Sequence, residues 1–82
     1  MKLYVGNLSY STNDSSLRSA FAQYGNVVSA TVITERDTGR SKGFGFVEFG
    51  TEAEAKAAAE GMNNAELDGR NIKVDIARPK AE

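Results

Sequence analysis

From its second residue the chain alternates, with Leu3 and Val5 on one side and Lys2 and Tyr4 on the other, which predicts a half-buried strand over 2–8. The period then lengthens. Leu17, Ala20, Phe21 and Tyr24 recur at helical spacing, predicting an amphipathic helix over 13–24 with Thr12 as its cap and Gly25 as a left-handed terminator. Residues 27–33 return to period two and are rich in β-branched side chains, with Val28, Ala30 and Val32 on one face and Ser29, Thr31 and Ile33 on the other. A polar stretch over 34–41 with Gly39 inside it leads into a second β-branched and aromatic run over 42–49, so the two runs read as a hairpin. Thr51 and Glu54 have the spacing of a capping box, and Ala55, Ala58, Ala59 and Met62 give the following helix a buried stripe of mostly small residues. Asn63, Asn64 and Gly69 mark turns. Ile72, Val74 and Ile76 then alternate with Lys73, Asp75 and Ala77 as a fourth strand.

The order is strand, helix, strand, twice over. That order predicts an α+β chain, a ferredoxin-like βαββαβ two-layer sandwich with a four-stranded antiparallel sheet. Only one face of each strand is apolar, so both helices are expected on that face and the other is left to solvent. Eighty-two residues suffice for one small core, and a single domain over 1–82 is expected, folded over about 2–78.

Composition changes the picture in three ways. The chain has no cysteine and no histidine, so neither a disulfide framework nor a thiolate site can hold the fold, and a base or nucleophile near neutral pH is lacking. A binding module is expected rather than an enzyme, with no cofactor and no metal. Neither a signal-peptide pattern nor a run of 18 apolar residues occurs, so export and membrane insertion are not expected; the expected location is cytoplasmic, or nuclear in a eukaryote. The net charge is −1, but it is unevenly spread. Residues 9–27 and 50–70, the helical units, carry −3, and the remaining segments carry +2. A domain with helices facing solvent and a sheet facing an anionic polymer would show this split.

Lys42-Gly43-Phe44-Gly45-Phe46-Val47-Glu48-Phe49 matches every constrained position of the octapeptide signature of the RNA-recognition-motif family, and Leu3-Tyr4-Val5-Gly6-Asn7-Leu8 looks like its companion hexapeptide on the first strand. The chain resembles that family from Lys2 to about Lys80. The resemblance implies binding of single-stranded RNA, with Phe44 near the sugars. Alternation alone reaches the same site: Val47 and Phe49 share the core face, while Phe44, Phe46 and Glu48 point outward and Tyr4 joins them from the first strand. Three aromatic rings on a bare sheet face form a patch that a soluble monomer rarely leaves without a partner.

Cations complete the expected site. Lys42 comes first, because alternation puts it on the face of Phe44 and Phe46; Lys2, Arg40, Lys73, Arg78 and Lys80 lie on or beside that face, with Arg40 in the hairpin loop. Glu48 and Asp75 would repel phosphate but could accept bonds from base amino groups. Gly43 and Gly45 weaken a strand, so they need a reason, and close approach of the helices to the inward face is the one expected. A phosphate-loop reading of the glycines fails, since they enter a strand rather than open a helix. A monomer is expected, and stacking accepts single-stranded RNA or single-stranded DNA alike. The alternative is a peptide-recognition module of the same fold. Members of that kind carry Arg-x-Phe before the fourth strand, where this chain has Arg70-Asn71-Ile72.

Overall fold

The computed structural model describes residues 2–77. Arg78 and Lys80 lie outside the described residues. Strands β1 (Lys2–Gly6), β2 (Val27–Thr34), β3 (Ser41–Phe49) and β6 (Lys73–Ala77) form one antiparallel sheet in the order β2-β3-β1-β6. Helices α1 (Asp14–Phe21) and α2 (Glu52–Met62) pack on one face of it, giving the ferredoxin-like sandwich. A two-stranded hairpin, β4 (Glu66–Leu67) and β5 (Arg70–Asn71), joins α2 to β6.

The core lies where the alternation puts it. Leu3 and Val5 of β1, Val47 and Phe49 of β3, and Ile72 and Val74 at β6 meet Leu17 and Phe21 of α1 and Ala55 and Ala58 of α2. The Phe21 and Phe49 rings sit 6.5 Å apart, centroid to centroid, at the centre of this layer. The alanines of α2 carry little bulk, which lets its axis lie close to the sheet.

Several local expectations are corrected. Thr12 does not cap α1: it is buried, and its hydroxyl donates to Asp68 Oδ2 at 2.6 Å, while Asn13 caps the helix in a full capping box with Ser16. The helix ends at Phe21 and tightens into a 3₁₀ turn over Ala22–Tyr24. Gly25 follows with φ 156° and ψ −166°, a glycine region of extended backbone rather than the left-handed helix. At α2 only Thr51 makes its half of the box, accepting from the Glu54 amide; the Glu54 carboxylate accepts instead from the amide of Asn26. In β2 a register shift between Val27 and Ser29 inserts Val28 as an extra residue, so Val27 enters the core and Val28 is turned out to solvent.

Gly45 is inward, as expected, but not for the helices. A Cβ built on it would lie 2.4 Å from the Thr31 carbonyl oxygen and 3.0 Å from Val32 Cα, both backbone atoms of the neighbouring strand. The constraint is the close approach of β2 to β3.

Both edge strands have side chains bonded to part of their outer backbone. On β6 the Val74 amide donates to Asn63 Oδ1 and the Ile76 amide to Asp75 Oδ1. On β2 the Val32 amide donates to Asp14 Oδ1 at 2.7 Å, and the Arg18 guanidinium donates to the Val27 carbonyl at 3.1 Å. These backbone groups, which could otherwise pair with another strand, already have partners.

Two substitutions in β3 test this packing. Phe49→Ala removes a fully buried ring and is expected to destabilise the domain by about 3–5 kcal/mol in urea unfolding. Gly45→Ala adds one methyl group against immovable backbone and is expected to cost about 1–3 kcal/mol. A Gly45→Ala protein as stable as the parent would show that β2 and β3 can separate freely at this point.

Candidate nucleic-acid interface

The uncovered face of the sheet is organised by register. Thr31, Phe46, Tyr4 and Asp75 stand side by side across the four strands, and the next row runs Ser29, Glu48, Lys2 and Ala77. Phe44 lies toward the other end of the face. The three rings form one group: Tyr4 is 5.8 Å from Phe44 and 5.9 Å from Phe46 between centroids, and Phe44 stands perpendicular to Phe46 at 6.4 Å. Tyr4 is 38% exposed and the two phenylalanines are half-buried, largely against one another, so flat apolar surface remains open to solvent.

Gly6 shapes this group in a way that alternation does not show. A Cβ on Gly6 would lie 2.9 Å from Tyr4 Cε2 and 3.0 Å from its hydroxyl oxygen. The tyrosine therefore leans along its own strand over a position with no side chain. Any larger residue there would push the ring up and away from Phe44.

The cations are placed unevenly. Lys2 extends over the Phe46 ring, its Nζ 5.8 Å from the centroid, in cation–π range. Lys73 is exposed on β6 beside Gly6, and its ammonium group donates to Asn64 Oδ1. Arg40 is exposed in the β2–β3 loop, where it borders a cleft with Tyr10, Glu35, Gly39 and Ser41. Lys42 is exposed, but the alternation used to place it does not run through Gly43, whose φ is +86°. Here β3 is held by the Leu8 amide donating to the Gly43 carbonyl, and the pairing with β2 shifts between Val32 and Thr34. Lys42 lines a cleft at the end of the sheet with Asn7, Leu8, Tyr10, Gly43 and Arg70. Glu48 stands between Ser29 and Lys2, and one oxygen of Asp75 is occupied by the Ile76 amide. Among the described residues no cluster of histidine, cysteine or carboxylates could hold a metal ion, and no helix is long and apolar enough to cross a membrane.

Three residues next to this face escaped the sequence reading. Asn7 adopts a left-handed conformation, φ 58°, and its amide bridges to the hairpin, donating to the Asn71 carbonyl and accepting from Arg70 Nη2 at 2.8 Å. Arg70, grouped by position with the helical units, is thereby held at the end of the sheet. Tyr10 is 78% exposed in the β1–α1 loop. The signal for Arg70 was present: Asp68-Gly69 is a two-residue hairpin turn, both residues at positive φ, and it puts Arg70 on a strand. Tyr10 gave none, being a single aromatic in a polar loop with no periodic partner.

Comparison with known proteins agrees with this architecture. The family model described as the RNA recognition motif matches residues 3–73. The mitochondrial glycine-rich RNA-binding protein 2 of Arabidopsis thaliana is 55% identical over 82 residues, covering 98% of this chain and 52% of that protein. The chain spans about half the length of the first curated relatives it matches. Among solved structures, that of RNA binding protein PG1 superposes with a TM-score of 0.92 at 46% identity, covering 100% of this chain and 99% of that one. The second RRM domain of the yeast poly(U)-binding protein Pub1 superposes with a TM-score of 0.88 at 32% identity, covering 99% and 98%. A family match over residues 3–73, which takes in three of the four sheet strands and both helices, on a chain carrying both signature strands, shows that this protein belongs to the RNA recognition motif family.

Proposed function

We propose that the chain is a monomeric, non-catalytic module that binds single-stranded RNA by stacking bases on Tyr4, Phe44 and Phe46, with a few phosphate contacts from the surrounding cations. The observation that carries this reading is the cluster of three rings within 6.4 Å of one another on a sheet face that no helix covers. Base faces are exposed only when a strand is unpaired, and each base stacked on an aromatic side chain gains about 1–3 kcal/mol. The poly(U)-binding relative, at a TM-score of 0.88, supports a single-stranded ligand. The side-chain partners on edge amides of β2 and β6 support a monomer. Single-stranded DNA would share the stacking and lack only contacts to the 2′-hydroxyl. The peptide-binding alternative has less support, because Ile72 is fully buried and the segment before β6 offers no exposed aromatic residue. Relatives of this fold include mitochondrial proteins, so the module is not tied to the cytoplasm.

Charge sets the expected salt response. With Lys73 held by Asn64 and Lys2 spread over Phe46, about two to four phosphate contacts are expected; at about −0.7 per contact for a single strand, log affinity falls against log salt with a slope of roughly −1.4 to −2.8. Lys42→Ala should flatten that slope by less than one unit. A measured slope steeper than about −4 would require a larger cationic surface than this face offers.

The decisive comparison is between ring removal and stability. Phe46→Ala and Tyr4→Ala are each expected to weaken binding to short single-stranded RNA by about 1–3 kcal/mol at every salt concentration, with the urea midpoint shifted far less than by Phe49→Ala. Filter binding or fluorescence anisotropy reads the first and unfolding the second. Unchanged affinity in both variants, or equal affinity for a blunt RNA duplex and its component strand, would show that stacking does not hold the ligand.

A further inference from the structure

Tyr10 is the most exposed large apolar side chain among the described residues, and nothing in the fold uses its ring. Isolated exposed rings are common, so exposure alone says little. The surroundings say more. The loop that carries Tyr10 is tied down at both ends, by the Leu8 amide on the Gly43 carbonyl and by the buried Thr12 hydroxyl on Asp68, with the Thr12 amide closing a turn onto the Ser9 carbonyl. The ring lies beside Gly43, where a Cβ would come 3.5 Å from Tyr10 Cε1, so it stands one residue from Phe44 along β3.

Tyr10 lines clefts beside both the β2–β3 loop and the end of β1. One, of about 470 Å³, is bordered by Arg40, Ser41, Gly39 and Glu35; the other, of about 230 Å³, by Lys42, Arg70 and Asn7. With a further cleft on the α1 side of the ring that Asp14 lines, three cations and two carboxylates border an exposed aromatic ring in a chain whose net charge is −1, and Asp14 already accepts from the Val32 amide. Arg70 spends one Nη2 bond on Asn7, and a guanidinium has five N–H donors, so it is oriented while still able to bind an anion. An apolar ligand would not need these cations, and a simple anion would not need the ring.

The geometry points to a further nucleotide site beyond the sheet, with a base of the bound RNA strand stacked on Tyr10 and its phosphate held between Lys42 and Arg70. This rests on the single-stranded RNA reading above and extends it: the strand leaves the platform past Phe44 and continues over the β1–α1 loop. The three sheet rings hold about two or three bases, so the Tyr10 site is reached only by a longer strand.

Length dependence tests the site separately from the platform. Labelled random-sequence RNA pools of four and of eight nucleotides serve as probes in fluorescence anisotropy. Tyr10→Ala is expected to lower affinity for the eight-nucleotide pool by about fivefold to a hundredfold and to leave the four-nucleotide pool unchanged, with Tyr10→Phe restoring it. Arg70→Gln is expected to flatten the salt slope by about 0.7 for the longer pool only. Phe46→Ala, by contrast, weakens both pools. Equal affinity of Tyr10→Ala and the parent on eight nucleotides would overturn the site, as would a loss of the same size on four. A parent protein that binds neither pool would instead overturn the stacking reading, and this site with it.

Discussion

The inward half of β3 holds the molecule together. Val47 and Phe49 press both helices onto one face of the sheet, with the Phe21 ring against Phe49 at the centre, and the sheet has no second layer to offer. Because a strand's side chains alternate, fixing these two residues in the core fixes Phe44 and Phe46 on the other face. The bare aromatic surface follows directly from the core. A one-residue slip of β3 would exchange the two sets, burying the proposed platform and exposing the core. The same residues thus specify the fold and the availability of the rings.

Glycine sculpts what alternation lays out. Gly45 admits the backbone of β2, Gly6 leaves room for Tyr4 to lean toward Phe44, and Gly43 lets β3 take a positive φ beside the Tyr10 ring. None of these positions faces a helix closely. Each is a place where missing bulk sets the separation or tilt of something next to it.

Most of the fold was legible in the sequence, because period-two and helical spacing are imposed by burial on one face and recur in every long element. The sheet face of the aromatic rings was legible for the same reason. Failures occurred where the backbone leaves a regular period. Val28 was grouped with Ala30 and Val32 on one face because a bulge is invisible to strict alternation, and the positive φ of Gly43 interrupts the count by which Lys42 was placed. Thr12 has the chemistry of a helix cap, yet it is used across the chain on Asp68 while Asn13 caps the helix. Such a choice between two adequate side chains depends on a contact 56 residues away in sequence, which local patterns do not contain. The Asp68-Gly69 turn is different: it was a readable local signal, and overlooking it left Arg70 among the helical units.

The side chains bonded to the edges of β2 and β6 also bear on how copies of this module behave when crowded. A polymer ligand gathers proteins along its length and raises their local concentration far above that of free solution. In that setting an unpaired strand edge beside an apolar sheet face is a template for cross-molecular β-pairing. Asp14, Asn63 and Asp75 each occupy an edge amide, which leaves fewer backbone donors for such pairing between neighbouring copies.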